Sequence, residues 1–305
     1  MESYNHMMEK VISFSSIIHY TLEYFCENIV PLRFMGRIIK SVALFGLFGL
    51  IFLSSCKSSF EKVRTSGDSE LIYKESIKLY EDGEYVKAQA LMELIISAFR
   101  GRPELEDLYY KYSNTYFLTN DYVMAAYYFE NFSSTFSGSA LKEDADYYTA
   151  YSHYMMSPSF RLEQSNTMKA IESFQSFVNK FPDSDRVEEC NLLIDECRRK
   201  LESKAFDSAI LYFDLQQYQS ALKSLENILI EFPDTKNLEE VRFKMVEANY
   251  LLATNSIYEK REERYNETIR YALMFLDKYQ EGEYFNTVQT FKADSETQLK
   301  LLSND

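Results

Sequence analysis

The chain repeats itself, and this repetition restricts what it can fold into. Five segments each carry a small residue that is followed by apolar residues four and seven positions later. The small residues are Ala88, Ala125, Ala170, Ala221 and Thr268, which lie 37 to 51 residues apart. Spacings of four and seven place side chains on one face of a helix. Self-similarity at such a period indicates a repeat architecture.

Each repeat has the pattern of two helices joined by a turn. An amphipathic stretch precedes the small residue, as in residues 71–80 and 108–118, and a polar break such as Asp82-Gly83 or residues 119–121 separates the two. Pro182 and Pro233 lie in two nearly identical tails, where a proline follows the end of a helix. We therefore predict an all-α fold of about five helix-turn-helix units.

Residues 157–167 interrupt the third unit. The pair Ser157-Pro158 disfavours helix for the serine, because the proline ring clashes with a helical residue before it. We predict an ordered loop there, with Asn166 or Thr167 near the start of the second helix.

Composition agrees with helices and excludes some functions. The chain has 8 Gly and 5 Pro among 305 residues, so residues that break helices are scarce. Its net charge of −14 disfavours nucleic acid as a partner, because phosphates require clustered Lys and Arg.

The segment 37–56, RIIKSVALFGLFGLIFLSSC, has the layout of an export signal. Arg37 and Lys40 precede the apolar run 42–53, and small residues lead to Cys56. The run is shorter than the roughly 20 residues that a membrane-spanning helix needs. We predict a signal peptide over 35–55 and a mature chain that begins at Cys56. The alternative is a buried core helix that ends at a chance cysteine.

Residues 1–34 precede this signal and show no clear domain pattern. A secretory signal normally begins the chain, so we predict that translation starts at Met35 and that 1–34 is a misassigned extension. A genuine N-terminal helix is the alternative.

The remaining layout is a linker over 56–69 and a repeat domain over 70–305. We expect N-terminal repeats in 70–184 and C-terminal repeats in 206–280.

The sequence offers no catalytic or metal motif. Glycine-rich phosphate loops, Gly-x-Ser-x-Gly and His-Glu-x-x-His are absent, and the histidines are His6, His19 and His153. Cys190 and Cys197 would lie roughly 10 Å apart along one helix, too far for a disulfide, and are predicted to be small buried hydrophobic residues. We predict no enzymatic activity, no cofactor and no metal.

The helix pairs resemble tetratricopeptide repeats, and Leu53-Ser54-Ser55-Cys56 resembles the lipobox of bacterial lipoproteins. With the inserted segment 157–184, the chain resembles the BamD family of outer-membrane assembly lipoproteins, in a Bacteroidetes-like form.

The resemblance implies a lipid on Cys56 and a place on the periplasmic face of the outer membrane, as a scaffold of the β-barrel assembly machine. The Asp that retains lipoproteins elsewhere is absent, since Lys57 follows the cysteine. The C-terminal repeats would bind a BamA-type barrel protein, and the N-terminal repeats would receive the C-terminal strand of unfolded barrel clients.

Two alternatives belong to other functional classes. One is a SusD-type glycan-binding lipoprotein, although such chains are longer and commonly use Trp, which this chain lacks. The other is a generic tetratricopeptide coordinator of the cell envelope.

The tetratricopeptide pattern also assigns a client groove to the first helices of units one and two. Its predicted residues are Tyr73, Ile77, Tyr80, Tyr110, Asn114 and Phe117. The alternative is that these residues fill the interior of the superhelix and bind nothing.

Overall fold

The computed structural model describes residues 59–303, and every regular element among them is an α-helix. The helices are α1 (Ser59–Arg64), α2 (Ser69–Glu81), α3 (Tyr85–Ile95), α4 (Glu104–Leu118), α5 (Tyr122–Thr135), α6 (Lys142–Met155), α7 (Ser165–Lys180), α8 (Val187–Asp214), α9 (Tyr218–Glu231), α10 (Leu238–Thr254), α11 (Tyr258–Lys278) and α12 (Phe285–Leu302). The all-α prediction is confirmed. The predicted extension, signal peptide and Cys56 lie outside the described residues.

Contacts divide the chain into two units, Met1–Ser66 and Gly67–Asp305. Helix α1 is the described helix of the first unit, and within it the Arg64 guanidinium donates two hydrogen bonds to Glu61 at 3.1 and 3.0 Å. All other described helices belong to the second unit.

The second unit consists of five helix pairs followed by α12. The pairs are α2–α3, α4–α5, α6–α7, α8–α9 and α10–α11, and each helix packs chiefly on its neighbours in the chain. Helix α12 packs on α11 and also touches α10. Packing mainly between sequence neighbours is the arrangement of a helical repeat superhelix, which confirms the predicted architecture.

The repeating small residue lies at the interface between the two helices of each pair. Ala88, Ala125, Ala170, Ala221 and Thr268 are all fully buried, with 0% exposure. The residues four and seven positions later are buried too, among them Phe129, Phe132, Phe174, Phe177 and Phe275. Because a small side chain lets the helices approach, the large ones behind it can be removed from water, which is worth about 1.5–3 kcal/mol for each Phe.

The turns inside the pairs use the left-handed region of backbone space. Gly83 has φ +79°, Asn120 has φ +62° and Gln216 has φ +59°. Glycine and asparagine tolerate this region best, so they end a helix efficiently. The polar breaks predicted at Asp82-Gly83 and at residues 119–121 are confirmed.

The inserted loop of the third unit is held by one buried amide. Gln164 is 5% exposed, and its Nε2 donates to the carbonyls of Ser159 and Leu162, both at 2.9 Å. Thr167 donates to the Oε1 of the same side chain at 2.7 Å. The loop is therefore ordered, and α7 begins at Ser165, one residue before the predicted start.

Helix α8 runs for 28 residues and belongs to two hydrophobic clusters. Cys190, Ile194 and Cys197 pack with α6 and α7, whereas Leu201 and Ala209 pack with α9 and α10. The predicted start of the C-terminal repeats, residue 206, lies inside this continuous helix, so the chain has no break there. Repeats three and four are joined by one rigid element.

The cysteine prediction is confirmed. Cys190 and Cys197 lie on α8, are fully buried and form no disulfide. Burial raises the pKa of both thiols to about 11, so both are protonated at neutral pH and behave as small hydrophobic residues.

In units two to four, a Ser or Thr side chain just after the second helix forms hydrogen bonds at the junction with the next unit. Its hydroxyl donates to a glutamate on the first helix of its own unit, and it accepts the backbone N–H two residues later at 3.0–3.2 Å. The hydroxyl–glutamate pairs are Ser139–Glu106, Ser184–Glu143 and Thr235–Glu202. At the first junction an ion pair between Arg102 and Glu70 closes the unit instead.

The fifth junction lacks the hydroxyl, because Gly282 stands at the aligned position. Its partner Glu239 presses its carboxylate against the glycine, and a Cβ at residue 282 would overlap with Oε1 and lie 2.9 Å from Cδ. Among the described residues, Glu239 Oε1, Arg242 Nε and Tyr279 Oη are buried atoms without a hydrogen-bond partner. Gly282 therefore serves close packing and not backbone freedom.

Replacing Gly282 with Ala should lower the free energy of unfolding by about 1 kcal/mol, at the low end for overpacking, because the flexible Glu239 side chain can move aside. Urea unfolding of the chain without its signal segment measures this change. Gly138→Ala is the matched control, because nothing lies within 4 Å of a Cβ there, and it should leave stability unchanged or raise it slightly.

The double variant Gly282→Ala/Glu239→Ala isolates the cause. Removing the carboxylate removes the obstacle, so the cost of the alanine should largely disappear in this background. A cost that persists without Glu239 would contradict the steric explanation.

Candidate functional site

The predicted groove residues belong to a pattern that runs through all five units. Two positions on each first helix, seven residues apart, are aromatic throughout, and we call these positions the aromatic ladder. Its pairs are Tyr73/Tyr80, Tyr110/Phe117, Tyr147/Tyr154, Phe206/Phe213 and Phe243/Tyr250. Because the ladder occurs in every unit, aromatic character alone does not distinguish the first two units from the rest.

The position between the ladder aromatics, four residues after the first, varies instead. It is occupied by Ile77, Asn114, Tyr151, Ile210 and Glu247. The side chain at this position therefore differs between units, whereas the aromatic residues on either side of it are kept. Unit one has an aliphatic side chain there, and unit two has an amide.

In the first unit the ladder residues pack within the unit and reach across to the second. Tyr73 stacks on Phe99 with ring centroids 5.0 Å apart, and Tyr80 meets Tyr85 edge-on at 5.7 Å. The Asn114 amide donates a hydrogen bond to the Tyr80 hydroxyl at 2.5 Å. This bond joins α2 to α4, so the structure brings two of the predicted groove residues into direct contact.

In the second unit the ladder residues are more deeply engaged. The Tyr110 ring lies edge-on between Phe129 and Phe132, at 5.6 and 5.5 Å. Burial is the main cause of a raised pKa for the Tyr110 hydroxyl. Phe117 packs against Tyr148 of the third unit at 4.9 Å. These rings are therefore part of the hydrophobic core.

All six predicted groove residues are partly buried, and none is fully exposed or fully buried. Tyr80 and Asn114 are joined by a hydrogen bond, and Ile77 lies one helical turn before Tyr80 on α2. Tyr73 is instead directed at Phe99, which follows α3, and Tyr110 at Phe129 of α5. The assignment of these six residues to a client groove stays a prediction.

The ladder continues into the third unit, which the sequence analysis did not assign to the groove. Tyr147 and Tyr154 donate hydrogen bonds to Glu189 and Glu196 of α8, at 3.0 and 2.9 Å. Burial and the adjacent carboxylate raise the pKa of Tyr154 to about 12. Arg186 lies over the Tyr147 ring at 4.4 Å. Tyr147 lies 37 residues after Tyr110, as Tyr110 does after Tyr73. This spacing could have placed the third unit in the same pattern from the sequence.

The described part of the chain offers no site for metal chemistry. It contains no cluster of three or more His, Cys, Asp or Glu side chains suited to bind a metal ion. His153, on α6, is half-buried, and its lowered pKa is caused first by burial and then by the charge of Lys169. Among residues 59–303, no helix combines the length and apolar character that crossing a membrane requires.

Comparison with known proteins finds similarity to a curated protein and to a solved structure. A curated protein named outer membrane protein assembly factor BamD, from Rickettsia prowazekii (strain Madrid E), is 25% identical over 108 residues, which cover 35% of this chain and 43% of that protein. The match thus spans less than half of the relative's length. A solved thermophilic TPR protein from Thermus thermophilus is similar at 14% identity and a TM-score of 0.29, over 75% of this chain and 100% of that chain.

The family comparison covers more of the chain. The model of the YfiO family, described as outer membrane lipoprotein, matches residues 65–265, which include all of the first four helix pairs and the fifth up to Tyr265. Because this match covers more than half of the chain, the protein belongs to the YfiO family of outer membrane lipoproteins.

Proposed function

We propose that this protein is a lipid-anchored scaffold of the outer-membrane β-barrel assembly machine, on the periplasmic face of the membrane. It binds the BamA-type barrel protein and the C-terminal signal of unfolded barrel clients. The main observation in support is the match of the YfiO family model to residues 65–265. The relative named as an assembly factor and the lipobox-like Leu53-Ser54-Ser55-Cys56 support the same function.

The Tyr80–Asn114 pair supports the client groove on chemical grounds. Because Asn114 donates to the Tyr80 oxygen, the phenolic hydrogen remains available to donate, and the Asn114 carbonyl oxygen remains available to accept. Neither side chain makes another hydrogen bond within residues 59–303. An extended peptide needs this combination of donor and acceptor for its own C=O and N–H groups, and Ile77 adds an apolar contact one turn away.

Asn114→Ala should weaken binding of a peptide with the C-terminal sequence of a barrel client by about 3–10-fold, the range for loss of one hydrogen bond. Fluorescence anisotropy of the labelled peptide measures the affinity. Asn131→Ala is the matched control, since Asn131 lies on the second helix of the same unit and its side chain makes no hydrogen bond within the described chain. Equal losses in both variants would count against the groove.

The outer face of α12, the helix that follows the five pairs, supports binding of a protein partner at the C-terminal end of the repeat domain. On α12 the ion pair between Lys292 and Glu296 is partly exposed, with side chains 26% and 44% exposed. The other exposed positions between residues 286 and 297 are all uncharged, although 26% of the chain is charged. These positions are Asn286, Thr287, Gln289, Thr290, Ala293 and Thr297. Depletion of charge at the centre of a surface is typical of protein–protein interfaces.

Ala293→Arg should abolish or strongly reduce co-purification with the BamA-type protein from detergent-solubilised outer membranes. The interface must then desolvate a guanidinium, and the nearby carboxylate of Glu296 is already paired with Lys292. Ala90→Arg, at an exposed position of α3, is the matched control and should retain the partner. A TonB-dependent porin in place of the barrel protein would instead favour the SusD-type alternative, and cell-division proteins would favour a general envelope coordinator.

In this proposal, lipid on Cys56 anchors the repeat domain to the membrane. An intact mass of the native membrane-extracted protein should correspond to a chain that begins at Cys56 and carries acyl groups. Cys56→Ala should leave the signal segment uncleaved. Peptides from residues 1–34 in the native sample would contradict a start at Met35.

A further inference from the structure

The proposed function does not use a cavity that lies between the second and third units. The cavity has a volume of about 640 Å³ and opens between α5 and α7, above α6. Phe177 is the one apolar residue of its wall, and the volume lies within the range of small-ligand sites, about 300–1,000 Å³. The α6 residues that line it, such as Asp146 and His153, lie on a different helix face from Tyr147 and Tyr154 of the aromatic ladder.

The second unit fills the equivalent space with tyrosine rings. Tyr116 stacks on Tyr128 at 5.0 Å, Tyr112 meets Tyr128 edge-on at 4.9 Å, and the hydroxyls of Tyr112 and Tyr116 are 2.8 Å apart. Tyr109 and Tyr127 flank this cluster. The same helical framework can therefore be closed by side chains alone.

In the third unit, polar residues occupy those five positions. We aligned the first helices on Glu106 and Glu143 and the second helices on Ala125 and Ala170. The replacements, in order of the tyrosines 109, 112, 116, 127 and 128, are Asp146, Thr149, His153, Glu172 and Ser173. The cavity therefore lies where the third unit has polar side chains in place of the tyrosine rings of the second.

Several polar groups of the wall lack a partner in the protein. Within residues 59–303, Glu130, Lys169, Glu172, Ser173 and Ser176 make no hydrogen bond or ion pair. The Nδ1 atom of His153 is buried and also has no partner. A buried polar atom without a hydrogen bond costs about 1–3 kcal/mol, so a ligand that supplied the missing partner would recover part of this cost.

The charges of the wall are arranged in two groups. At one end Asp146, with an 11% exposed side chain, forms ion pairs with Lys142 at 3.4 Å and Lys180 at 3.3 Å and accepts a hydrogen bond from Ser133. This group is satisfied internally. At the other end Lys169 and the carboxylates of Glu130 and Glu172 are available, so the open part of the cavity presents both signs of charge.

This chemistry selects among ligand classes. An apolar strand would find only Phe177, which is 1% exposed, and a sugar would find no accessible aromatic face to stack on. A ligand with both an ammonium and a carboxylate group matches the free charges. Amide groups match the hydroxyls of Ser173 and Ser176, and a neutral imidazole, favoured by the lowered pKa of His153, can donate or accept a hydrogen bond.

We propose that this cavity binds a short zwitterionic peptide, with its ammonium group at Glu130 and Glu172, its carboxylate at Lys169, and its amides at Ser173, Ser176 and His153. The ligand is either a free peptide or a polar segment of a longer chain. The site is independent of the client groove and of the partner surface on α12.

Two synthetic probes test the proposal by calorimetric titration of the full chain. The first is the tripeptide Lys-Ser-Glu with free termini, and the second is the same tripeptide within a heptapeptide of glycines with capped termini. Saturable binding that weakens with added salt is expected for at least one probe. Binding of the first probe alone would identify a free peptide as the ligand, whereas binding of both would identify a chain segment.

Variants tie the binding to the cavity. Lys169→Ala/Glu172→Ala removes exposed groups that have no partner, so folding should be unchanged while binding weakens at least tenfold. Ser173→Tyr restores the ring of the second unit and should have the same effect. Gln175→Tyr, exposed on the same helix outside the cavity, should bind as the parent does. Absence of saturable binding at millimolar probe, or equal binding by parent and Lys169→Ala/Glu172→Ala, overturns the proposal.

Discussion

The close approach of two helices at a single small residue is the contact on which every unit of this protein depends. Ala88, Ala125, Ala170, Ala221 and Thr268 are fully buried at equivalent places, and the large apolar residues behind them form the cores. Each core involves three or four consecutive helices. Stability is therefore a sum of local contributions, and a change in one unit is felt mainly by the units beside it.

This locality explains what could be predicted from the sequence. Helix pairing, the turns at Gly83 and Asn120 and the burial of Cys190 and Cys197 all depend on residues close in the chain, so spacing alone predicted them. The continuity of α8 could also have been predicted from the sequence, because no Gly or Pro occurs between Val187 and Asp214.

The features that could not be predicted join residues far apart in sequence. The hydrogen bond from Asn114 to Tyr80 crosses 34 residues, and the bond from Ser184 to Glu143 crosses 41. Spacing rules within one helix do not report such contacts. The cavity between the second and third units could be recognised only by comparing two aligned units in three dimensions, because each of its polar residues is unremarkable on a helix surface.

Helix α8 sets a constraint on how the chain can vary. In the described part of the chain, no helix of the first three units packs extensively against α9–α12, so α8 alone transmits orientation between the two sets. Each residue added to a helix rotates everything beyond it by about 100° and advances it by about 1.5 Å. An insertion into α8 would therefore rotate the helices that follow it relative to the helices before it. An insertion of about seven residues is the shortest that returns them to within about 20° of their present orientation.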